Sequence, residues 1–278
     1  MNTLRSRIAR MSLNVFAGLG LIYLFLPIFF IVLFSFNKPK GKYNIVWQEF
    51  TFDNWLDPFS QKSLTAALWV SLRIGALATA ISTVLGSMIA LALSRRTFKG
   101  SSAINLLLVL PLTTPEIVLG SSLATLFLNQ TYINFGFVTV VIAHVMFQVS
   151  FVALTVRARI RGFDWTLEQA AADLGSTPQR TFRLVTFPLI LPGVLAAALL
   201  AFALSIDDFI ITFFNAGSTA TFPLQIYGAA RVQIPPQINV LASMVLLFSV
   251  ALLVVGATRG QRSEAAKAMK RPKIKIRK

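Results

Sequence analysis

A chain of 278 residues in which 55% are hydrophobic, 13% are charged and 24 are Phe, with a mean hydropathy of +0.71, has the composition of an integral membrane protein and excludes a soluble domain. It contains no cysteine, which rules out disulfides, thiolate metal sites and a Cys nucleophile and leaves the redox compartment open. The formal net charge of +16 reads as a topology signal plus a basic tail near anionic lipid rather than as a nucleic-acid footprint.

The first apolar run, roughly 14 to 36, follows a basic start (Arg5, Arg7, Arg10). It is too long for a signal-peptide core and ends in Ser35-Phe36-Asn37 without a small-x-small cleavage pattern, so it reads as an uncleaved first span. Asn37 to Ser63 follows as an ordered interfacial loop, with Pro39, Gly41 and Pro58 as breaks and Tyr43, Trp47 and Trp55 as headgroup anchors. Further apolar runs cover 64 to 94, 104 to 129, 135 to 158, 184 to 214 and 238 to 258. Each meets the roughly 20 residues that cross hydrocarbon as a helix, and none alternates as a barrel strand would.

Charge orients these six spans. Arg5 to Arg10, Arg95 to Lys99, Arg157 to Arg183 and the nine basic residues from Arg259 to Lys278 fall in alternate gaps and hold twenty of the 26 Lys and Arg. That face is cytoplasmic by the positive-inside rule, which places both termini inside. The organisation is a cytoplasmic N-terminus (1 to 13), a six-helix membrane domain (14 to 258) and a basic cytoplasmic tail (259 to 278).

Two spans are broken at membrane depth, by Pro111-Leu112-Thr113-Thr114-Pro115 and by Ser205-Ile206-Asp207-Asp208. Thr114 before Pro115 and Glu116 is a helix-start signature, and Ser205 with Asp208 has the form of a capping box, so half-helices begin at both places. Broken backbone there must face protein or a wet cavity. At 1.5 Å per residue, Glu116 and His144 lie roughly 20 Å from the cytoplasmic end and the Asp pair roughly 23 Å, while Arg73 reaches the outer interface.

Carboxylates at one depth without matching intramembrane cations are costly unless water or a cation meets them. Asp207, Asp208 and Glu116 are therefore the candidate solute-pathway residues, against the alternative that Glu116 and Asp208 only cap half-helices. His144 reads as a hydrogen-bonded packing residue. No G-x-x-x-x-G-K-[ST] loop and no H-E-x-x-H motif exists, and a single His gives no multi-His zinc site. What remains beside transport is a Ser121 or Ser122 nucleophile with His144, or a passive channel.

Between the fourth and fifth spans lies a polar island, Thr166 to Pro192, reading TLEQAAADLGSTPQRTFRLVTFPLILP. Its helix formers, a stop at Gly175 and a restart at Ser176-Thr177-Pro178 predict two short helices joined by a tight turn, a docking corner for another protein. Pro188 and Pro192 predict an abrupt join to the next span.

The island resembles the signature loop of bacterial ABC-importer permeases, E-A-A, three residues, G, nine residues, I-x-L-P. Here it reads Gln169-Ala170-Ala171, Ala172-Asp173-Leu174, Gly175, then Val185-Thr186-Phe187-Pro188, with Glu168 one place ahead of the acidic position. LPLTTPEIVLGSSL (110 to 123) and FALSIDDFIITFF (202 to 214) look like the spermidine/putrescine branch of these permeases. The resemblance, from Phe16 to about Gly256, implies an all-α integral membrane protein with the six-helix type I importer fold, multi-pass in the cytoplasmic (inner) membrane of a prokaryote. It implies partners: a second, different permease chain, two copies of a cytoplasmic ABC ATPase and an extracytoplasmic solute-binding protein, with membrane lipid around them and no nucleic acid. ATP and Mg would sit on the ATPase, no cofactor on this chain, and the chain would not be an enzyme. The loop at about 159 to 187 would couple to the ATPase through Glu168, Gln169, Ala170, Ala171, Asp173, Gly175 and Pro188. The implied solute is a polyamine; ferric iron, thiamine and opine or amino-acid derivatives are carried by relatives that share parts of this wording.

Overall fold

The computed structural model describes residues 2–95, 98–130 and 133–251, and the chain separates into two compact units, Met1–Thr65 with Gly228–Lys278, and Ala66–Tyr227. Among the described residues there are helices and two isolated β-bridges but no strand.

In the first unit, α1 (Asn2–Phe34) carries an apolar stretch, Ala9–Phe34, in which no residue is buried. The chain after it is held by amide side chains. Asn37, fully buried, donates through Nδ2 to Asn44 Oδ1 (2.6 Å) and the Val46 carbonyl (2.9 Å), and its Oδ1 accepts from the Gln48 N–H (2.8 Å). Phe36 stacks between Phe50 (5.7 Å) and Trp55 (5.5 Å), and Trp55 Nε1 donates to Ser35 Oγ (3.0 Å). The loop is ordered, as its sequence indicates, but Trp55 is a packed and hydrogen-bonded part of it rather than a free anchor. A short α2 (Asp53–Leu56) follows, and Asn44 and Lys42 pair with Ile234 ahead of α12 (Pro236–Ala251). Of the sixth predicted span, 238 to 258, residues 238–251 fall in α12, and the rest of it and the basic tail from 259 lie outside the described residues.

In the second unit, α3 (Lys62–Arg95, from Ala66 onward), α4 (Ser101–Thr113), α5 (Glu116–Gln130), α6 (Phe137–Ile160) and α9 (Phe187–Asp207) are joined by shorter pieces. α6 forms the axis. Val152, Val156 and Ile160 pack with Ala90 of α3 and Ile190, Val194, Ala197 and Ala201 of α9, all buried. Alanine and valine at these positions let the helices approach closely, which is how apolar helices associate without a water-driven hydrophobic effect between them.

Among the described residues four helices are long and apolar enough to cross a membrane, and α4 with α5 makes a fifth if the pair, bent by 109°, is counted as one span. The fifth predicted run, 184 to 214, divides differently from its sequence reading. Helix continues from Pro178 through a π-helical turn (Phe182–Thr186) to Asp207, so Pro188 and Pro192 do not make an abrupt join. Pro188 falls in the first turn of α9, where no N–H is needed, and the wider π turn relieves the ring's clash with the preceding carbonyls.

Candidate functional site

The two breaks meet in the second unit. α4 ends at Thr114, whose backbone is extended (ψ 133°), and α5 starts at Glu116; α9 ends at Asp207, Asp208 is extended (ψ 120°), and α10 (Ile210–Asn215) restarts. α5 and α10 lie side by side. A methyl on Gly120 would meet Phe214 Cδ2 at 3.1 Å and the Ile211 Cα at 3.3 Å, so Gly lets the two helices come closer than a side chain there would, and Asn215 Nδ2 donates to the Gly120 carbonyl (3.2 Å). Their far ends converge on Phe135, which touches Phe127 (6.3 Å between rings) and sits against Gly217. The two half-helices therefore run in one direction, with Glu116 at the start of one and the Asp pair at the start of the other.

The starts are not capped as the sequence suggests. Thr114 Oγ1 turns back to the Leu110 carbonyl (2.7 Å), and α5 opens instead on the Pro115 carbonyl, which accepts from Val118 N–H (2.9 Å). Ser205 and Asp208 form no capping box, because α9 stays helical through Asp207 and carries Ser205 inside it. Asp208 serves α10 alone: its Oδ2 accepts from the Thr212 N–H (2.8 Å) and hydroxyl (2.6 Å).

His144 of α6 completes this arrangement. It is 3% exposed, with Nδ1 2.7 Å from Ser205 Oγ and Nε2 2.9 Å from Thr212 Oγ1 and 3.2 Å from Asp208 Oδ2. It is the hydrogen-bonded packing residue its sequence context suggests, and it bonds neither Ser121 nor Ser122; Ser121 Oγ bonds the Val118 carbonyl (3.2 Å). Ser205, His144 and Asp208 have the composition of a hydrolytic triad, but Ser205 is 4% exposed in the last turn of α9 with its hydroxyl filled by the ring, leaving no approach for an acyl carbon. The predicted Asp pair thus separates: the Asp208 side chain is 10% exposed and engaged, while Asp207 and Glu116 are exposed.

The island folds as predicted. α7 (Thr166–Asp173) closes at Gly175 (φ +78°), with Ser176 N–H bonded to the Ala171 carbonyl (3.0 Å) and Gly175 N–H to that of Ala172 (2.9 Å), a Schellman turn in which Gly avoids the left-handed penalty. α8 (Pro178–Thr181) restarts with Thr177 capping the Arg180 N–H (3.4 Å). Asp164 opens α7: Thr166 donates to it through its hydroxyl (2.7 Å) and its N–H (3.0 Å), the hydroxyl bond being the larger cause of a carboxyl held below its ordinary range. Gln169, Ala170, Asp173, Gly175 and Pro188 are exposed, Ala171 is half-buried, and Leu174 stands 89% exposed at the turn.

Glu168 differs from its predicted companions. Its Oε1 lies 2.7 Å from Arg95 Nη2 and accepts from the buried Thr186 hydroxyl, and the Arg95 guanidinium stacks over Trp165 at 5.7 Å. One carboxylate therefore ties α7 to the end of α3 and to the π turn. Arg95 and Thr186 were legible in the sequence only as a topology charge and a loop position, and no local spacing announces contacts between residues 73 and 18 apart.

Residues 82–260 match the family described as binding-protein-dependent transport system inner membrane component. The chain belongs to this family. It is 34% identical over 244 residues to the spermidine/putrescine transport system permease protein PotC of Haemophilus influenzae, covering 87% of this chain and 93% of that one. It is 33% identical over 235 residues to the putrescine transport system permease protein PotI of Escherichia coli (strain K12), covering 82% and 83%. In fold the permease is similar to a chain in a bacterial ABC transporter that imports the acidic polysaccharide alginate, with a TM-score of 0.64 at 15% identity over 93% of this chain and 98% of that chain. The permease is accordingly a transport subunit rather than an enzyme.

Proposed function

We propose that this chain is one permease subunit of an ATP-driven ABC importer that moves a polyamine across the prokaryotic inner membrane. Two parallel half-helices carry the reading, one beginning with the exposed carboxylate of Glu116 and the other preceded by the exposed Asp207 at the end of α9, because exposed acids at breaks within apolar spans suit a multivalent organic cation. The similarity to polyamine permeases over most of the chain supports it. The chain has six spans (14 to 258) with both termini cytoplasmic, a short N-terminal segment (1 to 13) and a basic cytoplasmic tail (259 to 278) on the anionic inner leaflet. Asp207 lines the route with Glu116, and Asp208 shapes it.

The partners are a second, different permease chain, two cytoplasmic ATPase copies that hold ATP and Mg, and an extracytoplasmic binding protein. Coupling runs through the loop at about 159 to 187: Gln169, Ala170, Ala171, Asp173, Gly175 and Pro188 present the docking surface, and Glu168 fastens it to the spans. The test is reconstitution of the four components in liposomes. Spermidine or putrescine should accumulate with ATP and raise ATP turnover, whereas accumulation of a neutral or anionic solute instead would overturn the polyamine reading.

A further inference from the structure

We infer that His144 is the positioning residue of the solute route: by bonding both sides of the break between α9 and α10 it holds Asp208 inward and leaves Asp207 as the presented carboxylate. This rests on the polyamine reading for its purpose, but not for its geometry.

Hydrogen-bond accounting fixes the role of each atom. The Thr212 hydroxyl lies 2.6 Å from Asp208 Oδ2 and donates its single proton there, so towards His144 Nε2 (2.9 Å) it can only accept. Nε2 therefore carries a hydrogen, shared between Thr212 Oγ1 and Asp208 Oδ2. Nδ1 lies 2.7 Å from the Ser205 hydroxyl, so both ring nitrogens are engaged. Ser205 precedes the break, Asp208 is the break and Thr212 follows it, and all three are held by one ring on α6, which is more buried than α3 or α9.

The consequence falls on two adjacent acids. Asp207 is the last helical residue of α9 and Asp208 leaves the helix in an extended conformation, so their side chains diverge: Oδ2 of Asp208 is occupied by three donors while Asp207 is exposed. A cation site needs the backbone that bears its carboxylate fixed before the ligand arrives, and the fixing of this break comes from α6.

The chain lacks cysteine, so single-cysteine reporters are unambiguous. In the assembled transporter, Asp207→Cys should react with a cationic thiol reagent much faster than Asp208→Cys. Adding His144→Leu to the Asp207→Cys chain, in which Asp208 keeps its carboxylate, should shrink that ratio about tenfold, the effect of losing a buried hydrogen bond. Thr212→Val should shrink it in the same sense, which guards against a His144→Leu chain that fails to assemble. His144→Gln should preserve the ratio, because its amide N–H and carbonyl can replace Nε2–H and Nδ1. A ratio unchanged in both His144→Leu and Thr212→Val, or lost equally in His144→Gln, would overturn the positioning role. Protection of Asp207→Cys by spermidine is scored separately: without it the polyamine reading fails, while the effect of His144 on the ratio still stands or falls alone.

Discussion

At the scale of residues, two neighbouring aspartates with the same chemistry stand in opposite surroundings. Asp208 satisfies the Thr212 N–H and hydroxyl and the His144 ring, so Asp208→Ala strands buried donors at about 1 to 3 kcal/mol each and should lower the thermal stability of the purified permease. Asp207 makes no such bonds and is exposed, so Asp207→Asn should leave the melting temperature in place and weaken spermidine uptake. Calorimetry and transport on the two variants separate these outcomes; equal loss of stability in both would contradict the division of labour. The sequence showed that acids sit at a break and that one could be a cap. It could not show which, because the deciding ring comes from a helix 64 residues away. Asp208 and Thr212, four residues apart, were the local trace of the cap, and the Ser205 pattern that looked stronger proved to lie inside α9.

At the scale of elements, what was legible followed backbone chemistry. Proline and glycine positions located the α4–α5 break and the α7–α8 turn, since Pro115 cannot continue α4 and Gly175 takes φ +78°. The π turn was not legible, because its five residues have ordinary helical composition and its wider register is set by Pro188 and by the packing of Phe182 against Phe187 (6.0 Å). Nor was the fastening of the island: Glu168 reads as a partner-facing charge, yet it joins Arg95 to Thr186. As a surface ion pair with side chains 42% and 22% exposed, the Arg95–Glu168 contact contributes under about 1 kcal/mol to stability. Under the coupling proposed above, its value is in transmission. Arg95→Gln and Glu168→Gln should leave folding intact and lower the solute moved per ATP hydrolysed, whereas Gln169→Glu, on the exposed side of the same helix, should change that ratio little. The charge-reversed pair, Arg95→Glu with Glu168→Arg, should recover part of the loss; coupling more sensitive to residue 169 than to 168 would show that the carboxylate position, not the fastening, governs the island.

At the scale of the whole molecule, the importer proposed above takes its drive from a separate ATPase through a surface, and the island is the surface proposed for it. Gly175 is the place to test this, because nothing lies within 4 Å of where its Cβ would be. A substitution there meets no neighbour inside the chain, and its intrinsic cost is the left-handed backbone, about 1 kcal/mol, which cannot unfold the spans. Gly175→Ala carries that cost alone, while Gly175→Asp adds a bulky charge at the turn beside the 89%-exposed Leu174. Helical content and melting of the purified chain should be nearly the same for both. Co-purification of the ATPase, and ATP turnover stimulated by solute, should be kept largely by Ala and lost with Asp. If Asp retains both, partner docking does not involve this turn; if Ala loses both, the turn's conformation rather than its surface is what the partner reads, and the measurement on the pair decides between shape and contact.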